Sequence, residues 1–203
     1  MRMFFAACLA AVASTASAAE PGSIQGKSDS SGQLPPRVKA SGEVFRTMSW
    51  ADDKGDNIAV FSTKSTTKTR GEHTILGKTI FVDLYTGKGG AFRKVRTVKE
   101  VADRCEFDLM NEFLDTSVAV TDLDKNGVGE LTFAYRTACR SDLSPAAFKV
   151  LMLEGGKKWA LRGTTRVNPG PGPVGGEFVE DFKKAPTPFL EYATKVWGRF
   201  VNE

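Results

Sequence analysis

The sequence predicts an α+β protein that is mainly antiparallel β-sheet, built from successive hairpins and closed by one C-terminal amphipathic helix. Three observations carry this. Short runs of alternating or β-branched apolar residues recur between Glu43 and Arg162, separated by turns rich in Gly, Asp and Asn. Only the last stretch of the chain shows a convincing helical period. No repeat of fixed period is present, and 203 residues are too few for a complete multi-blade propeller. An all-β sandwich or a partial, propeller-like sheet is the alternative arrangement of the same hairpins.

Met1–Ala18 reads as a secretory signal: Arg2 is the basic start, Met3–Val12 the apolar core and Ala16-Ser17-Ala18 the small-residue cleavage site. The apolar run is too short to span a bilayer as a helix. Residues 19–42 are rich in Ser, Gly, Pro and Gln, which predicts a flexible leader with order beginning near Glu43. Residues 43–203 then form a single β-rich domain. Val44, Met48 and Trp50 lead through Ala51–Asn57 into Ile58, Val60 and Phe61, a strand–turn–strand pattern. Asp52, Asp53 and Asp56 carry oxygens a cation could use, but a solvated hairpin tip is the simpler reading. Lys78–Tyr85 and Ala91–Arg96 make the next hairpin around Gly87, Gly89 and Gly90, where the complete phosphate-loop pattern is absent. Val98–Arg104 fits a helical turn or an extended segment equally well. Phe148–Leu153 and Lys158–Arg162 flank Gly155-Gly156 as another hairpin, and the prolines of Asn168–Gly176 demand an irregular loop. In the final helix Thr187 is the expected cap, with Pro188 at its first position. Phe189, Ala193, Val196, Trp197 and Phe200 share one face.

The net charge of +4 falls to +3 once a signal carrying Arg2 is removed. Cations are spread rather than clustered; even Lys64–Arg70 lacks interleaved aromatics, which argues against nucleic acid as a partner. Beyond the signal, Cys105 and Cys139 are the only cysteines, and in an oxidising compartment they are expected to form a disulfide. Their spacing excludes a CxxC zinc or redox arrangement.

The richest chemistry lies in Thr121–Glu130, Thr-Asp-Leu-Asp-Lys-Asn-Gly-Val-Gly-Glu. Asp122, Asp124 and Asn126 stand at alternate loop positions, Gly127 lets the backbone turn, and the Val128 carbonyl and Glu130 complete an oxygen set suited to calcium. Phe133 occupies the position where a helix–loop–helix calcium hand has its bidentate Glu, and strands flank the loop. The same residues also allow a plain Asn126-Gly127 hairpin that needs no metal. Arg136 and Arg140, beside Cys139 and Asp142, are candidate anion-binding residues or members of a structural ion-pair cluster. No catalytic constellation emerges: His73 is the sole histidine, and neither a zinc-protease helix motif nor a nucleophile elbow occurs.

The acidic loop resembles the strand–loop–strand calcium sites of integrin-type propeller repeats. Together with Cys105–Leu109, Tyr135–Pro145, Met152–Gly163 and the Phe178–Phe200 tail, it makes most of 43–200 similar to a family of exported bacterial proteins. These are largely uncharacterised, and some are labelled surface-polysaccharide biosynthesis. That resemblance implies a periplasmic or secreted protein that binds or assists handling of a surface glycan or another envelope component, with no catalytic residue identified. A metal-dependent hydrolase acting on an envelope polymer is the rival expectation, in which the loop ion would be catalytic and face a cleft.

Overall fold

The computed structural model describes residues 24–203; the expected signal segment 1–18 lies outside the described residues. Two antiparallel sheets pack face to face, and one helix covers the far side of the second sheet. The first sheet has the sequential order β1 (Lys27–Asp29), β2 (Glu43–Asp52), β3 (Gly55–Arg70), β4 (His73–Lys88) and β5 (Ala91–Cys105). Residues Val98–Arg104, ambiguous in sequence, are extended within β5. The second sheet begins with β6 (Asp108–Phe113) and β7 (Ala119–Thr121), which pair with different stretches of one edge of β8 (Glu130–Arg140). It continues through β9 (Ala147–Glu154) and β10 (Lys157–Thr164). A short ribbon of β11 (Arg166–Val167) and β12 (Val174–Gly175) precedes β13 (Phe178–Asp181), which pairs with β10. Helix α1 runs Thr187–Phe200. The predicted class, mainly antiparallel sheet with a C-terminal helix, is the one found.

Side-chain alternation explains the layering. On β8, Leu131, Phe133 and Tyr135 point between the sheets, while Ala134 faces the helix. On β9, Leu151 and Leu153 point between the sheets, and Phe148, Val150 and Met152 point at α1. A strand buried on both faces must be apolar at nearly every position, which is why Phe148–Leu153 shows no clean alternation. Phe61 of the first sheet meets Phe133 edge-on, with ring centroids 5.7 Å apart and planes at 90°, and Phe113 closes the group. Helix α1 buries Phe189, Ala193 and Trp197, and Val196 and Phe200 pack beside them, so the predicted face is the docked one. Thr187 is not its cap. The chain enters through Pro186, whose carbonyl accepts the Phe189 N–H, and no side chain caps the end.

The seam between sheets is fastened at one end. The Cys105–Cys139 disulfide joins the end of β5 to β8 across a Cα separation of 5.6 Å. Nearby, fully buried Asn111 donates to the carbonyls of Lys78 and Glu100 and accepts from the Thr137 hydroxyl.

The expectation of a flexible leader to residue 42 is corrected over 24–42. Lys27–Asp29 pairs with β2, and Leu34, Val38 and Ala40 cover an apolar patch of Ile58, Val60 and Tyr85 on the outer face of the first sheet. A composition too poor to build its own core can still lie on one supplied by long strands. Asp83 holds this cover in place. Its fully buried carboxylate accepts from the Ser41 N–H and hydroxyl, the Thr97 hydroxyl and the Lys94 ammonium. Burial alone would raise its pKa, but these donors together hold it below the ordinary value. A depressed carboxyl contributes stability above its unfolded pKa, near 3.8, and that contribution disappears as pH falls through the folded value. Asp83→Ala is therefore expected to cost about 3 kcal/mol at pH 7 and distinctly less near pH 3, measured by urea unfolding. An equal cost at both pH values would contradict the assignment.

Candidate metal centre

The acidic loop is held from both ends by sheet register. Thr121 pairs with Glu130 across β7 and β8, so residues 122–129 all stand off the ladder. A two-residue Asn126-Gly127 turn between adjoining strands is therefore not formed. Lys125 and Gly127 take left-handed backbone conformations, and a Cβ at Gly127 would run into the Asp53 carboxylate. That close approach accounts for glycine there.

Within this loop Asp122, Asp124 and Glu130 converge, each offering a carboxylate oxygen, with those oxygens all within 4.8 Å of one another. Two unit charges at that distance repel by about 3–4 kcal/mol at an effective dielectric near 20. Glu130 is fully buried. Its pKa is pushed up to about 7, first by burial and then by the neighbouring charges of Asp124 and Asp122, against the pull of donors from the Leu123 N–H and the Thr121 hydroxyl. Asp122 uses one oxygen to accept the Gly127 N–H, while its other oxygen, Oδ1, is buried without a hydrogen-bond partner. An orphaned carboxylate oxygen beside two further carboxylates fits a cation. These three residues could hold a metal ion.

The other two predicted ligands are engaged differently. The Asn126 side-chain amide donates to Asp124 and to Glu154, and its oxygen accepts the Val128 N–H. Asn126 thus bridges carboxylates with its NH₂ rather than presenting its oxygen to them, and Val128 lines a neighbouring cavity.

Two partners of the loop were not anticipated as such. Glu154, at the end of β9, bonds Asn126. The β2–β3 hairpin tip touches the loop through Asp52 and the Asp53 backbone, while Asp53, Lys54 and Asp56 remain exposed. Asp52 accepts from the Gly129 N–H and the Trp50 indole N–H, and the Asp53 N–H donates to the Gly127 carbonyl. Leu123 packs on the helix side of the second sheet. The loop is thus a junction of the first sheet, the end of β9 and the helix-covered core. The adjoining cavity of about 220 Å³ is lined by Trp50, Asp52 and Val128 among others, and none of the three converging carboxylates lines it.

Arg136 and Arg140 do not form an open anion site. Arg136 donates to the carbonyls of Phe200 and Asn202, and both guanidiniums pair with the Glu203 carboxylate. The two arginines are paired with Glu203 rather than with Asp142, which accepts from the Ser144 N–H in its own turn. His73, at the start of β4, is exposed and 3.6 Å from Glu106. Among the described residues no helix is long and apolar enough to cross a membrane, and the disulfide fits a non-cytoplasmic, oxidising location. No family profile, curated protein or solved structure matches the chain.

Proposed function

We propose that this is an exported, non-enzymatic envelope protein in which a calcium ion at Asp122, Asp124 and Glu130 clamps the junction between the two sheets, leaving the remaining surface to bind a glycan or another envelope component. One observation carries the reading. The three carboxylates, one with an unpartnered buried oxygen, converge in a loop packed against both sheets, and none of them lines the adjoining cavity. A catalytic ion needs an open coordination position facing substrate, so this placement favours a structural ion over the hydrolase alternative. Calcium is preferred over magnesium because an all-oxygen set of irregular geometry suits the larger ion, whereas magnesium holds its water in a strict octahedron. The sequence resemblance to exported bacterial proteins supplies the envelope setting.

The test pairs cells with purified protein. Deleting the gene is expected to alter the surface-glycan profile, and re-expression to restore it. Calcium-loaded protein is expected to leave isolated envelope polymers uncut. An unchanged profile would overturn the glycan assignment. Cleavage that Asp124→Ala abolishes would establish the hydrolase instead.

A further inference from the structure

A further concentration of charge lies where β5 faces β8, β9 and β10. There β5, β8, β9 and β10 enclose a cleft of about 290 Å³. Four cations face it, Arg96, Lys149, Lys158 and Arg162, while Lys99, also at its rim, shares the outer face of β5 with Thr97. Glu100 is the only carboxylate among its lining residues. The alternation of the strands explains the gathering. Lys149 and Tyr135 continue the inward-facing rows of Leu151 and Phe133, and Lys158 and Arg162 flank inward-facing Ala160 on β10. Where the apolar sandwich ends, those rows become charged.

Glu100 is already satisfied, accepting from Lys149 and from the Tyr135 hydroxyl, each at 2.8 Å. Outside the lining, Asp181 stands 3.5 Å from Arg162 in a half-exposed pair. Among the described residues Arg96 and Lys158 belong to no ion pair. Arg96 is nonetheless fixed, since its Nε donates to the Gly156 carbonyl at 2.7 Å. The accumulated charge is felt locally. Burial, reinforced by Arg162 and Arg96, holds the Lys158 ammonium below its ordinary pKa. Like charges gathered without counter-charges cost free energy unless an anion joins them.

We propose that this cleft binds a multiply charged oxyanion, a phosphate or sulfate group that is either free or carried as a monoester on a small molecule, with Arg96, Lys158 and Arg162 as its principal contacts. Guanidinium and ammonium donors converging from two sheets suit a tetrahedral anion with several acceptor oxygens. The volume, close to the lower end of small-molecule sites, leaves room for a small body attached to that group. The proposal is independent of the metal centre.

The test is an NMR titration of the full chain with inorganic phosphate and, separately, with glycerol 1-phosphate, sodium chloride serving as the ionic-strength control. Saturable shifts at residues 96–100 and 149–162, with a Kd at or below about 1 mM, are expected for at least one probe. Inorganic phosphate binding as tightly as the monoester identifies the free anion as ligand, and tighter monoester binding identifies the ester-carried group. Lys158 is exposed and outside any ion pair, and the half-exposed Arg162–Asp181 pair contributes little, so the double variant K158Q/R162Q should fold. It is expected to weaken binding at least tenfold, since hydrogen bonds between charged groups are lost. The control K64Q/K68Q removes the same charge from the exposed end of β3 and should leave affinity unchanged. Non-saturating shifts with both probes, or equal weakening by the two double variants, would overturn the proposal.

Discussion

Phe133→Ala is expected to destabilise the protein by about 3–5 kcal/mol, the largest effect of any single truncation considered. Phe133 is wholly buried midway along β8 and touches aromatic rings from both sheets: Phe61 at 5.7 Å, Phe113 at 6.1 Å and Tyr135 at 6.4 Å between centroids. The cavity left by its ring would lie between two sheets whose backbones are pinned by long ladders, so neighbouring side chains could collapse into it only partly. Phe133→Leu keeps most of the volume and should cost about half as much or less. Denaturant unfolding followed by tryptophan fluorescence measures both. A cost below about 1 kcal/mol for the alanine variant would show that the sheets do not pack through this residue.

Replacing both Cys105 and Cys139 by Ser is expected to cost about 3–4 kcal/mol on the chain-entropy account of cross-links. The disulfide closes a loop between positions 34 residues apart. That loop includes the crossover from β5 to β6, where the chain leaves one sheet for the other. Losing the link should therefore be felt first at that end of the seam, as faster amide exchange in β6 and in the adjoining part of β8. The wild-type protein treated with reductant under denaturing conditions should refold to the same reduced stability. Equal melting curves for oxidised protein and the double variant would contradict the assigned role.

Much of this architecture was legible because burial imposes period. The alternation of Leu131, Phe133 and Tyr135 marked β8 as a strand, and the spacing of Phe189, Ala193 and Trp197 marked the docked face of α1. Legibility failed where partners are remote. Leu34, Val38 and Ala40 show no period, and their burial depends on the apolar outer face that Ile58, Val60 and Tyr85 happen to offer. Val98–Arg104 was ambiguous because an edge strand carries charge at positions that a central strand would bury. The same division holds at the candidate metal centre. Asp122, Asp124 and Glu130 belong to one loop, and their spacing announced them. Glu154 lies 28 residues from Asn126, and Asp52 lies 77 from Gly129, so no local pattern could bring them to the site. For Arg136 and Arg140, the sequence left two uses open, and only the fold shows Glu203 between them.

The central claim, that the acidic loop holds calcium as a structural clamp, is tested most directly by thermal unfolding with calcium and with chelator. A site with few protein ligands should bind with a Kd of about 10⁻⁴–10⁻³ M. At a calcium concentration about ten times that value, mass action adds about 1.4 kcal/mol, which for a chain of this length raises Tm by about 3–5 °C. Chelator should remove the rise, magnesium should reproduce little of it, and Asp124→Ala should remain folded while losing the response. Superimposable wild-type melting curves with millimolar calcium and with chelator would contradict the claim and leave the loop as a metal-free junction of hydrogen bonds.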